Sequence, residues 1–73
     1  MTANQKEFKA LRGKIVEVYG SVREFAKAFG TTPQTIYSKL TGRTQWTLGE
    51  VLKASDLLGI ADNTDEIGRI FFA

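Results

Sequence analysis

The stretch AKAFGTTPQTIYSKLTGR, residues 26–43, decides how this chain is read. Two helical patterns meet in it across Gly30, Thr31 and Thr32. Upstream, Val22, Phe25, Ala26 and Phe29 recur at the three-and-four spacing of one helical face. Ser21 and Glu24 have the S-x-x-E spacing of a capping box, which starts a short helix at 22–29. Gly30 is its stop signal, because glycine adopts the left-handed backbone that a tight turn between crossed helices needs. Downstream, Thr32 is a good N-cap, and Pro33 suits the first helical position, where its missing N–H would have no partner anyway. This helix is predicted over 33–41, with Gly42 as its end. Ile36 and Leu40 lie one turn apart and face the core. Gln34, Thr35, Ser38 and Thr41 then point outward, while Tyr37 and Lys39 sit on the flanks with their lean undetermined by periodicity. The small side chain of Ala26 lets the two helices cross closely.

Working outward, the spacing predicts a first helix over 5–19, with Phe8, Leu11, Ile15 and Val18 on one face and Gly20 as its cap. Thr47 and Glu50 form a second capping box and open a helix over 48–58. Trp46 before it is placed to pack on Val51 as a hydrophobic staple, a better reading than a base-stacking platform. Leu48, Val51, Leu52, Ser55 and Leu58 form its apolar face. A last helix, 64–72, follows Asn63, with Glu66 at the capping spacing, and ends in Ile67, Ile70, Phe71 and Phe72. No stretch alternates with period two for long enough to suggest a strand. The expected fold is all-α: a compact bundle of five short helices in a single domain, residues 1–73.

Composition narrows the chemistry. Apolar residues make up 42% of the 73, a fraction suited to a packed domain. Cysteine and histidine are absent, which removes disulfides, thiolate metal sites and the commonest general base. No paired-carboxylate motif, nucleophile motif or phosphate-cradling glycine loop is present, so neither an enzyme nor a cofactor, metal or small-molecule substrate is expected. No apolar run approaches the roughly 20 residues that cross a bilayer, and the polar N-terminus lacks a signal-peptide core. A soluble intracellular protein with no membrane partner is the expectation. Charge is uneven. Up to Trp46 there are eight basic and three acidic residues; from Thr47 on there are two and five. A basic front and an acidic back fit a module that offers one face to a polyanion, although a short chain can reach such a split by chance.

Residues 26–43 resemble the helix-turn-helix of phage repressor and Cro-like (XRE-type) regulators, whose fold is that of the lambda-repressor DNA-binding domain. The alanine, the large apolar residue, the glycine and the buried isoleucine fall in the expected places. The whole chain from Phe8 onward is similar to a set of short phage-encoded regulators. In these the motif is followed by a K-L-x-G-R/K turn, an aromatic, a T-x-x-E helix start and a C-terminal I-F-F. The corresponding pieces here are Lys39 to Arg43, Trp46, Thr47 to Glu50, and Ile70-Phe71-Phe72. Two positions depart from the pattern: Lys39 stands where many members have an apolar residue, and Val22 stands where many have a phosphate-clasping glutamine.

The resemblance implies a sequence-specific transcriptional regulator, of repressor or Cro type, acting on double-stranded DNA at the nucleoid in a bacterial host's cytoplasm. It implies that Thr32, Pro33, Gln34, Tyr37 and Ser38 lie at the bases. Gln34 is the foremost of them, since its amide can pair bidentately with adenine. Tyr37 either offers its hydroxyl to the DNA or packs at the core edge. Arg43, Thr44 and Gln45, in the loop after the recognition helix, are placed at phosphates; Ser21 or Arg23 could replace the missing glutamine, and Arg23, Lys39 and Lys27 are weaker phosphate candidates. Two adjacent aromatics on a terminal helix cannot both face one core. Either one is exposed or a second subunit covers it, so a homodimer through Ile70, Phe71 and Phe72 is expected, with a near-palindromic operator. The alternative is a small helical protein–protein interaction module, an antirepressor or polymerase adaptor that does not itself bind DNA. Steep salt dependence distinguishes the two.

Overall fold

Side-chain caps set most of the helix boundaries. The structure, a computed structural model, describes residues 8–72, and every regular element among them is helical. The elements are α1 (Lys9–Tyr19), α2 (Val22–Phe29), α3 (Pro33–Leu40), α4 (Leu48–Leu57) and α5 (Thr64–Ile67), which runs on into a π-helical turn, Gly68–Phe72. Residues 5–7 of the expected first helix lie outside the described residues. Ser21 accepts from the Glu24 N–H at 3.2 Å and starts α2. Thr32 accepts from the Thr35 N–H at 3.3 Å and starts α3. Thr47 and Glu50 form a complete capping box on α4, and Asn63 accepts from the Glu66 N–H at 3.0 Å.

One hydrophobic core collects residues from every helix. Leu11 and Ile15 of α1, Phe25 and Ala26 of α2, Ile36 of α3 and Ala54 of α4 are fully enclosed. Ala26 has no exposed surface at all, as expected of the small residue under the α2–α3 crossing. Gly30 joins these two helices with φ 91°, in the left-handed region, and its N–H donates back to the Ala26 carbonyl at 2.9 Å. A Cβ there would meet nothing closer than the Lys53 Nζ at 4.0 Å, so the need for glycine is a matter of backbone conformation, not of space.

Three elements differ from the sequence expectation. On α1 the inward stripe passes through Tyr19 instead of Val18, which is exposed. Tyr19 lies edge-on to Phe25 and donates its hydroxyl to the Leu57 carbonyl at 3.0 Å, a polar anchor that valine cannot supply. On α4 the buried side is Val51, Ala54 and Ser55, continued by Leu58, while Leu48 and Leu52 are 72% and 58% exposed. The small residues Ala54 and Ser55 let α4 approach the core closely, and this turns both leucines outward. At the C-terminus, α-helical bonding ends at Ile67 and widens into the π turn. A π turn takes more residues per revolution, so neighbouring side chains stay closer in direction. Ile70 and Phe71 both enter the chain's own core, leaving Phe72 at 68% exposed. Of the three residues assigned to a subunit contact, two are thereby occupied internally.

Candidate nucleic-acid interface

Helix α3 has a buried back and a polar front. Ile36 and Leu40 anchor it from behind. Thr32, Gln34, Thr35, Tyr37 and Thr41 are exposed, and Pro33 and Ser38 are half-buried. Of the five residues expected at the bases, Thr32, Gln34 and Tyr37 are thus exposed and Pro33 and Ser38 half-buried. Their side chains are not equally available. The Thr32 hydroxyl is engaged as the cap and lies 3.0 Å from the Thr35 hydroxyl. The Gln34 side chain makes no hydrogen bond within the described residues. Tyr37 stands at the α1 edge of the face, 43% exposed, with the Arg12 guanidinium over its ring at 5.7 Å. The ring is therefore partly accessible, with a cation over it.

The loop after α3 is held by backbone bonds. Gly42 takes φ 82°, and the N–H groups of Arg43 and Thr44 both donate to the Ser38 carbonyl, at 2.9 and 3.2 Å. Arg43, Thr44 and Gln45 then stand exposed next to the polar front. Arg23 is exposed on the first turn of α2, and the Ser21 hydroxyl beside it is occupied as a cap. Lys27 is paired with Glu24 at 3.4 Å.

Lys39 is not a phosphate contact. Its side chain is 9% exposed; its Nζ lies 2.8 Å from Glu50 Oε1, donates to the Gln45 carbonyl at 3.2 Å and sits over the Trp46 ring at 5.6 Å. A buried ammonium with this many partners has no reach to a ligand outside. The aliphatic stem takes up the apolar position, and the charge is absorbed by Glu50 and the indole face. The Lys39 ammonium and the Thr47 N–H hold the Glu50 carboxyl below its usual range.

Trp46 is likewise structural. It is half-buried, with the rings of Phe8, Phe29 and Phe71 at steep angles to it and 6.5, 6.2 and 5.3 Å away between centroids, and it lines a surface cavity with Val51.

The ion pairs sort the cations. Lys14, Lys27, Lys39 and Arg69 are each bound to a glutamate. Lys9, Arg12, Arg23, Arg43 and Lys53 form no ion pair among the described residues. Two of these, Lys9 and Arg12, belong to α1 and were not identified from the sequence. The 8-11-15 stripe leaves both off the buried face, but periodicity carries no sign of which neighbouring helix they border. Among the described residues no group of three acidic side chains could hold a metal ion, and no helix is long and apolar enough to cross a membrane.

A protein-family model described as a protein of unknown function (DUF739) matches residues 5–73. No curated protein and no solved structure matches the chain.

Proposed function

The chain belongs to the DUF739 family, whose description assigns no activity, and we propose, from its geometry together with the sequence resemblance noted above, that it binds double-stranded DNA sequence-specifically as a transcriptional regulator of the phage repressor and Cro kind. In this reading α2, the Gly30 turn and α3 form the helix-turn-helix, and α3 enters the major groove. The observation that carries the proposal is the polar front of α3. Gln34 is exposed and uncommitted on a helix locked from behind by Ile36 and Leu40. An amide on such a rigid rod can read an adenine edge bidentately. Arg23 and Arg43, exposed and without carboxylate partners, supply the charge that draws phosphate to either end. Regulators of this kind act in the host cytoplasm as two-fold dimers, and the exposed Phe72 ring is the apolar group at the C-terminus available to a second copy.

Selection of duplexes from a random pool, followed by sequencing, tests the reading. A recovered site with two related halves and binding that weakens steeply with salt are expected. A pool that shows no enrichment overturns it. A second reading, a protein-binding adaptor, draws on the exposed Leu48 and Leu52 of α4. It predicts salt-insensitive capture of a protein and no retained duplex.

A further inference from the structure

Between α1 and α3 lies a cleft of about 160 Å³, lined by Phe8, Lys9, Arg12, Tyr37, Leu40 and Thr41. Its floor is fixed. The Phe8 N–H donates to the Leu40 carbonyl at 2.9 Å, tying the start of α1 to the last turn of α3. Leu11 turns into the core, which leaves Lys9 and Arg12 exposed along the rim. Tyr37 and Thr41 form the opposite wall and belong to the polar front of α3. The Arg12 guanidinium lies over the Tyr37 ring, and among the described residues neither Arg12 nor Lys9 is ion-paired, whereas Lys14 farther along α1 lies 3.7 Å from Glu17. Among the described residues no carboxylate lines the cleft.

We propose that this cleft grips a backbone phosphate of the bound duplex, with Lys9 and Arg12 as the charged contacts, so that α1 touches DNA alongside α3. The proposal rests on the DNA-binding reading above. Two physical points support it. The C-terminal end of a helix carries partial negative charge and repels phosphate unless cations offset it. The C-terminal end of α3 is the end where these two cations stand. The Tyr37 ring holds the guanidinium in place, so little freedom is lost when a phosphate arrives. A contact of this type sets how the protein sits on the duplex and carries no sequence information.

The test is fluorescence anisotropy of a labelled selected duplex and a labelled random one, titrated over a range of monovalent salt. The proteins are wild type, Lys9→Gln with Arg12→Gln together, Arg12→Lys, and Arg43→Gln as a separate phosphate variant. The double variant is expected to weaken both duplexes by the same factor and to flatten the slope of log affinity against log salt by about 0.9, the share of one phosphate. Arg12→Lys keeps the wild-type slope because it keeps the charge. A thermal melt close to wild type accompanies the double variant, since both side chains are exposed. If wild type and Arg43→Gln behave as DNA binders but the double variant keeps the wild-type slope, with or without a loss of melting temperature, the cleft is not a phosphate site and the DNA reading stands. If wild type shows no salt-dependent duplex binding, both fall.

Discussion

The Lys39 ammonium and the Glu50 carboxylate meet at 2.8 Å, and the same Glu50 oxygen accepts the Thr47 N–H at 2.9 Å. One carboxylate oxygen thus closes the α4 capping box and binds the charge on the last turn of α3. The loop carrying Arg43, Thr44 and Gln45 is bracketed between these two points. Removing the glutamate leaves the enclosed Lys39 ammonium desolvated and unpaired, whereas removing the lysine leaves Glu50, whose side chain is 29% exposed and keeps the Thr47 N–H. Glu50→Ala is therefore expected to cost about 2 kcal/mol, discounted for the partial exposure of the glutamate, and Lys39→Met about 1 kcal/mol or less. Urea denaturation of the two variants measures this order; the reverse order contradicts the pair's assigned role.

Acid should weaken the same lock. The Glu50 carboxyl is held below its usual range by Lys39 and by the Thr47 N–H. Its contribution is complete above the ordinary carboxylate pKa of the unfolded chain and is lost as pH falls through the lowered folded value. The stability gap between wild type and Glu50→Gln should therefore be widest near neutrality and shrink in acid. Melting temperatures of both proteins across that span give the gap directly.

Gln34→Ala is expected to cost about 1–3 kcal/mol on the selected duplex and little on random DNA. Equal losses on the two would remove Gln34 from base reading.

Ala26 is completely enclosed beneath the α2–α3 crossing. Ala26→Leu adds volume where none is free and should destabilise the domain by about 1–3 kcal/mol or more. Circular dichroism melting reports it, and an unchanged midpoint would mean that the crossing is looser than described.

Ser55 is also completely enclosed, and its hydroxyl has no hydrogen-bond partner among the described residues. A desolvated hydroxyl without a partner costs about 1–3 kcal/mol. Ser55→Ala should raise the midpoint of urea unfolding, since it removes that polar atom and leaves almost no void.

The helix starts were legible in the sequence because a cap is a local device. Ser21, Thr32 with Pro33, Thr47 with Glu50, and Asn63 each act within three residues of themselves, so spacing alone reveals them. The polar front of α3 was legible for a related reason, since Ile36 and Leu40 fix which way it faces. What escaped depends on neighbours distant in sequence. Val18 and Tyr19 are both apolar enough to be buried, and the Leu57 carbonyl, 38 residues beyond Tyr19, decides between them. The spacing placed Val51, Ser55 and Leu58 inward correctly, but Leu48 and Leu52 outrank Ala54 in hydropathy, and it is Ala54 that is buried. Lys39 reads as a surface cation until Glu50 and Trp46 are brought around it.

The lone tryptophan gives this domain an optical handle of its own. Trp46 is ringed by Phe8, Phe29 and Phe71, which come from the start of α1, the end of α2 and the terminal π turn, and its indole N–H is sealed from solvent without a partner among the described residues. Its emission should be blue-shifted in the native state and move to the red when any one of these segments detaches. Because Gln45 and Thr47 flank it in the chain, a ligand that pulls on the loop after α3 should also change its brightness, so folding and loop displacement can be followed in the native chain without an attached dye.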